Sequence, residues 1–356
     1  MSTSPGGNES ALVLAAQHDA AGRHDAAVDI LAVATRRGDA DAMTELGKRL
    51  LVGDRAPALP REGVGFLVDA FKQGGAEAAA RLAVLAALGC YVQQSFSDAM
   101  DLLIAAAERG SNAARGQLVA LSADAGAVRE RPTSPEVWRR LARGVDMADW
   151  SAASRARTLN ESPLVRCFAG FATPPVCAWL IERARGKLRR ARVYDPAAGA
   201  DFENESRTNT IAEFNLAEAD MIHVAVQVRM AAACGIPIEQ MEAPAVLHYD
   251  VGEQIDNHFD FIDPKVPNYS EEIAKRGERV VTFLVYLNDD YGGGETDFPT
   301  CGFRHKGASG EGLFFVNALP SGGPDTRMLH AGRSPSSGEK WIVSQFVRNR
   351  RALPAI

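Results

Sequence analysis

Three glycines, Gly38, Gly74 and Gly110, stand at a constant step of 36 residues in a chain of 356. Their surroundings keep the same step. Ile30, Phe66 and Leu102 correspond, as do Leu31, Leu67 and Leu103, and Ala34, Ala70 and Ala106; after the glycines come Ala42, Ala78 and Ala114, then Leu46, Leu82 and Leu118. A fixed period of this length marks stacked helix pairs, because one such pair cannot bury its own apolar face. Each unit reads as an amphipathic helix ending near its glycine, which is free to adopt the left-handed conformation that closes a helix. A small-residue helix follows, and its alanines let neighbours pack closely. The equal spacings favour repeats over an ordinary Ala-rich bundle.

This pattern, with its insertion-like "GDRAPALPRE" in the second unit, resembles Sel1-like repeats of the tetratricopeptide superfamily over residues 10–122. The resemblance implies a helical solenoid that binds a protein partner or a second copy of the chain. Residues 123–160 read as a helical connector, with Ser134 as a cap and Pro135 at the first helical position.

The period then changes. Helices are expected from Thr173 and Pro174 onward, and over Leu216 to Cys234, where Gly235 and Pro237 stop the second. Beyond that, "PAVLHYDVG", "HFDFI", "RVVTFLVYLND", "GLFFVN" and "KWIVSQFVRN" are short β-branched or aromatic runs bounded by Gly, Pro and Asn. Helices followed by strands predict an α+β domain with a jelly-roll core. The chain is thus expected to be multidomain, a helical repeat followed by a β-rich unit.

Composition narrows the function. A net charge of −6 and a pI of about 5.7 argue against a general nucleic-acid binder. The polar start "MSTSPGGNES" lacks a signal-peptide pattern, and the longest apolar-plus-glycine run, Leu82 to Val92, is too short to span a bilayer. Five scattered cysteines without a CxxC fit buried, reduced thiols. A cytoplasmic protein with no membrane partner is expected.

The strands carry chemistry. His258 and Asp260 are two apart, so on one strand both would project from the same face. His330, in "MLHAGRSP", offers a distant third donor. Two histidines and one carboxylate with open positions make the facial arrangement of non-haem Fe(II) oxygenases. Lys340, in the apolar strand "KWIVSQF", is a lone cation that either needs an anionic partner or reaches to solvent from a strand end.

The string "HYDVGEQIDNHFDF…RVVTFLVYLND…GGGETDFP…GLFFVN…LHAG…GEKWIVSQF" resembles the prolyl 4-hydroxylase branch of the Fe(II)/2-oxoglutarate dioxygenases, over a domain of residues 161–352. The resemblance implies a double-stranded β-helix (jelly roll) with His258, Asp260 and His330 as iron ligands. Lys340 would pair with the 2-oxoglutarate 5-carboxylate, Tyr249 would donate its hydroxyl to the co-substrate, and Thr282 would lie beside the same carboxylate. Fe(II), 2-oxoglutarate and O2 are the implied cofactors, with ascorbate as an accessory reductant. The implied reaction hydroxylates a protein or peptide residue, proline first, and releases succinate and CO2. The same chemistry on a free amino acid, and an inactive scaffold, are the alternatives.

Other residues carry smaller expectations. "YGGGETDFP" is a wall of the site or a plain hairpin, and residues 262–278 are a lid or a plain loop. Arg348 and Phe346 stand where plant-like members carry His and Trp, so the substrate-facing end should differ. His248 is expected to be structural and His305 to lie on the surface, while Asp250 and Asp256 shape a turn around Gly252.

Overall fold

The computed structural model describes residues 9–122, 124, 134–152, 155–195, 200–263, 265–266 and 269–354. Among the described residues seven helices come first: Ala11–Ala20, His24–Arg36, Ala40–Val52, Pro60–Lys72, Ala76–Leu88, Phe96–Glu108 and Asn112–Ser122. Gly38, Gly74 and Gly110 follow the ends of the first helix of each pair with φ of 85°, 94° and 100°. Leu31, Leu67 and Leu103 are fully buried, and so are Ala42, Ala78 and Ala114. The repeated positions therefore make the contacts between successive helices. Small residues set the closest approach: a Cβ on Gly63 would stand 2.6 Å from the Gly47 carbonyl oxygen.

The stretch expected as a helical connector is helical only in part. Pro135–Arg143 and Met147–Trp150 are helices, but Arg157–Asn160 is a strand. It pairs with Val165–Phe168 and forms the edge of the main sheet. Ser134 and Thr173 occupy N-cap positions as expected, each followed by Pro, yet neither side chain makes a capping hydrogen bond. The helix expected from Leu216 begins at Met221 instead. Asp220 is the reason. Its carboxylate accepts from the Ile222 and His223 amides at 3.1 and 3.2 Å and from Trp179 Nε1 at 2.8 Å. This cap starts the helix where the orphan amides are satisfied. Gly235 ends it at φ 69°, as expected. Every residue from Met221 to Met230 is buried, so the helix runs through the interior rather than over one face.

Two larger antiparallel sheets and two two-stranded ribbons, Val193–Asp195 with Ala200–Phe202 and Gly292–Gly293 with Pro335–Ser337, follow among the described residues. The main sheet has eight strands in the order Arg157–Asn160, Val165–Phe168, Gly312–Val316, Arg279–Tyr286, Lys340–Arg348, Ala245–Tyr249, Thr210–Glu213 and Arg189–Arg190. The smaller sheet has four, in the order Phe303–His305, Thr296–Phe298, His330–Gly332 and Ile255–His258. This is the expected jelly-roll arrangement behind a helical repeat. No helix among the described residues is long and apolar enough to cross a membrane.

The two halves share one core. Apolar side chains from Leu51, Leu85 and Leu118 in the repeats belong to the same buried cluster as Phe283, Trp341 and Val347 in the main sheet. The polar contacts converge on the buried helix. Gln117 Oε1 accepts the Met221 amide at 2.9 Å, and Arg81, 4% exposed, donates to the Leu216 and Ala219 carbonyls. Gly116 lies against Trp179, whose ring is fixed by its bond to Asp220. A Cβ on Gly116 would come within 2.3 Å of the Trp179 ring. Gly116→Ala is therefore expected to destabilise the whole chain by about 1–3 kcal/mol in urea unfolding, as overpacking does. An unchanged midpoint would show that the interface yields without cost.

Candidate active site

The smaller sheet brings the three expected metal donors together by register. His330 lies directly opposite His258 across the strand pair. Their rings sit 4.3 Å apart between centroids. Asp260 reaches them differently from the expectation. The strand ends at His258, and Asp260 lies in a bend two residues beyond it. The bend, not a shared strand face, turns the carboxylate back. His258 Nε2 is 3.4 Å from Asp260 Oδ1, and His330 Nε2 is 3.3 Å from Asp260 Oδ2. Donors about 2.1 Å from one ion are spaced about 3.0–3.4 Å apart. The three atoms are thus able to hold a single divalent metal.

Hydrogen bonds outside the donors fix their orientation. His258 Nδ1 lies 2.8 Å from the Asp256 carbonyl and His330 Nδ1 lies 3.0 Å from the Met328 carbonyl. Each Nδ1–H donates to its carbonyl, so both Nε2 lone pairs face the common point. Burial alone would raise the Asp260 carboxyl, but the charge and hydrogen bonds of His330 and His258 hold it well below the usual carboxylate range. Burial opposes charge on His330 too, and Asp260 overcomes it and raises the imidazole. Such mutual stabilisation of charge marks a position where a cation belongs.

Thr282 does not lie where the resemblance put it. It stands opposite Phe346 in the register of the central strands, six residues along from Lys340, a separation of about 20 Å along a strand. Its hydroxyl donates to Asp260 Oδ2 at 2.7 Å and accepts from Asn317 Nδ2 at 2.9 Å. Thr282 therefore orients the carboxylate. Asn317, at the end of "GLFFVN", went unremarked in the sequence because nothing local links it to Asp260. Phe315 packs its ring edge on His330 at 4.7 Å, a contact equally invisible from spacing.

Lys340 and Tyr249 are paired directly across the neighbouring strands. Lys340 is fully buried, and its Nζ has no hydrogen-bond partner. Burial pushes its ammonium down to about 7, with only Glu295 acting in the opposite sense. The Nζ lies 4.8 Å from the Tyr249 ring centroid. Burial raises the Tyr249 phenol, keeping it a proton donor. Gly332 makes room for that hydroxyl, since a Cβ there would stand 3.0 Å from it. Gly294, at φ 71°, lies against Tyr291 and the Lys340 stem, and the glycine loop forms a ribbon with Pro335–Ser337. One cavity of about 490 Å³ is lined by all six expected residues: Tyr249, His258, Asp260, Thr282, His330 and Lys340.

The remaining expectations divide. Residues 262–278 include a helix, Tyr269–Arg276, and Tyr269 lines the cavity. Phe346 lines it too, beneath the Arg279 guanidinium at 3.8 Å. Arg348 does not reach a substrate: it is 1% exposed and bonded to Glu242, the Gly277 carbonyl and Glu272. His248 is turned away from the cavity, with Nδ1 3.0 Å from Thr210 Oγ1. His305 is not a surface residue; its side chain is 11% exposed and its Nε2 lies 2.6 Å from Glu311 Oε1. Asp250 begins the turn as expected, whereas Asp256 lies within the strand.

A family model described as the 2OG-Fe(II) oxygenase superfamily matches residues 244–348. "Probable prolyl 4-hydroxylase 6" of Arabidopsis thaliana is 30% identical over 216 residues, covering 55% of this chain and 73% of the relative. "Probable prolyl 4-hydroxylase 7" of the same plant is 28% identical over 212 residues, and the match spans 54% of this chain and 65% of the relative. Among solved structures, a Sel1 repeat protein from Oxalobacter formigenes is 20% identical with a TM-score of 0.28, over 35% of this chain and 48% of that one. With His258, Asp260 and His330 converging in one cavity with a buried lysine, and with a relative 30% identical over 73% of its length, this chain belongs to the prolyl 4-hydroxylase-like family of Fe(II)- and 2-oxoglutarate-dependent dioxygenases.

Proposed function

We propose that this chain hydroxylates a proline in a protein or peptide, consuming 2-oxoglutarate and O2 and releasing succinate and CO2. The observation that carries the reading is the buried Lys340 ammonium, without a partner, in the same cavity as three converging metal donors. A cation so placed is costly unless an anion joins it. A dicarboxylate held at the metal by one end and at Lys340 by the other removes that cost. The donor set suits Fe(II), having two imidazoles and a carboxylate and no thiolate.

His258, Asp260 and His330 hold the iron in this reading. Bound Fe(II) supplies the activation of O2 that is coupled to loss of CO2 from 2-oxoglutarate. Lys340 pairs with the far carboxylate and Tyr249 donates its hydroxyl there. Thr282, through Asp260, keeps the ligand geometry, and Phe315 excludes water behind His330. The prolyl 4-hydroxylase relatives support proline as the target. The repeats at 10–122 supply a surface for a protein partner or a second copy. All five cysteines are free, which fits a reducing compartment such as the cytoplasm.

Purified protein with Fe(II), 2-oxoglutarate, ascorbate and proline-rich peptides should release succinate, and His330→Ala should reduce release to background. Release unaffected by His330→Ala would overturn the ligand assignment. Thr282→Val should weaken Fe(II) binding by about 10–100-fold, the usual loss when a partner of a metal ligand is removed; unchanged affinity would deny Thr282 its orienting role. Lys340 also predicts a pH dependence. Its folded pKa, about 7, lies below the ordinary 10.5, so between these values the unfolded chain binds the extra proton. Stability without ligand should therefore rise with pH across that window, and Lys340→Met should flatten the rise. Equal slopes in urea unfolding of the two proteins would contradict a buried, unpartnered ammonium.

A further inference from the structure

Successive residues of a strand face opposite sides of a sheet. Tyr249 and Lys340 face the cavity, so their neighbours His248 and Trp341, also directly opposed, face the other side. There His248 is only 7% exposed and packs on the Trp341 ring with centroids 4.2 Å apart. Its Nδ1 lies 3.0 Å from Thr210 Oγ1, and the Thr210 hydroxyl is turned toward the His248 carbonyl at 3.5 Å. In the tautomer with its proton on Nδ1, His248 donates to Thr210 and carries a lone pair on Nε2.

That lone pair has no hydrogen-bond partner, although Nε2 is buried. It faces two carboxylates, Glu339 Oε2 at 3.6 Å and Asp250 Oδ1 at 3.8 Å. These gaps are too long for hydrogen bonds. They are close to the spacing of about 3.4 Å between donors arranged tetrahedrally about 2.1 Å from one ion. All three donor atoms lie within 4.8 Å of one another. A lone pair aimed at two anions is repulsive unless a cation stands between them. We propose that His248, Asp250 and Glu339 form a second metal site, separate from the cavity, for a divalent ion of the Zn2+ type.

The surroundings suit it. Trp341 Nε1 donates to Glu339 Oε2 at 2.9 Å and orients the carboxylate, as Thr210 orients the imidazole. Arg185 Nη1 lies 3.4 Å from the same oxygen, but its side chain is 52% exposed and able to turn to solvent as an ion enters. Asp250 and Glu339 are exposed enough, at 66% and 44% of their side chains, to admit the ion directly. The site ties the residue after Tyr249 to the residue before Lys340. A bound ion clamps the ends of the two strands that line the co-substrate end of the cavity, from outside it.

The test is Zn2+ uptake by chelator-stripped full-length protein, counted by elemental analysis after removal of free metal. Asp250→Asn combined with Glu339→Gln changes only exposed groups and keeps their shape. This variant should bind one Zn2+ fewer per chain than wild type, while His330→Ala keeps the ion that the double variant loses. Wild type should also melt at a higher temperature with Zn2+ than the double variant does, as binding to the native state requires. The readout is the difference of one ion, so it stands whether or not the cavity triad also takes Zn2+. Equal uptake by wild type and the double variant overturns the proposal.

Discussion

The backbone pairing of Lys340–Arg348 with strands on both sides is the constraint on which the rest of the site depends. A central strand cannot move without breaking two ladders of hydrogen bonds. Arg279–Tyr286 flanks it on one side and Ala245–Tyr249 on the other. The pairing sets Tyr249 opposite Lys340 and buries an ammonium that would otherwise reach water. It also sets Thr282 opposite Phe346, at the Asp260 end of the cavity rather than the lysine end. The separation of the two ends of the cavity is therefore fixed by register.

Much of this was legible in the sequence because period and spacing carry it. Three glycines at one step forecast the helix pairs, and each proved to follow a helix end with positive φ. His258, Asp260, His330 and Lys340 stood out because a histidine–carboxylate pair, a distant histidine and an isolated strand cation occur together, whereas Tyr249 came only from the family resemblance. What escaped depends on contacts distant in sequence. Arg157–Asn160 is a strand because Val165–Phe168 offers it an edge, although its own residues are polar. The long buried helix starts at Met221 because Trp179 and Gln117 complete its cap from other elements. Thr282 changed role because Asp260 sits beyond the strand end, and His305 moved inward because Glu311 pairs with it.

The repeats are more than an attached module. Arg81 and Gln117 satisfy backbone groups at the start of the Met221–Cys234 helix, which itself lies beneath the main sheet. Their apolar faces join the sheet's core without a break. By contrast, the first helices bury a cluster of their own around Leu31 and Leu46. The end of the repeat nearest the sheet is thus built into the core of the sheet domain, and the far end packs on itself. This division follows from how repeats stack, each touching only its neighbours.

The central claim is that the cavity holds a metal at one end and a dicarboxylate anchored by Lys340 at the other. A crystal structure of the protein with Mn(II) and 2-oxoglutarate tests it most directly. The account predicts one ion bound by His258 Nε2, His330 Nε2 and an Asp260 oxygen, with the far carboxylate of 2-oxoglutarate within hydrogen-bond distance of Lys340 Nζ. A dicarboxylate bound elsewhere, with the Lys340 ammonium still unpartnered, would contradict it.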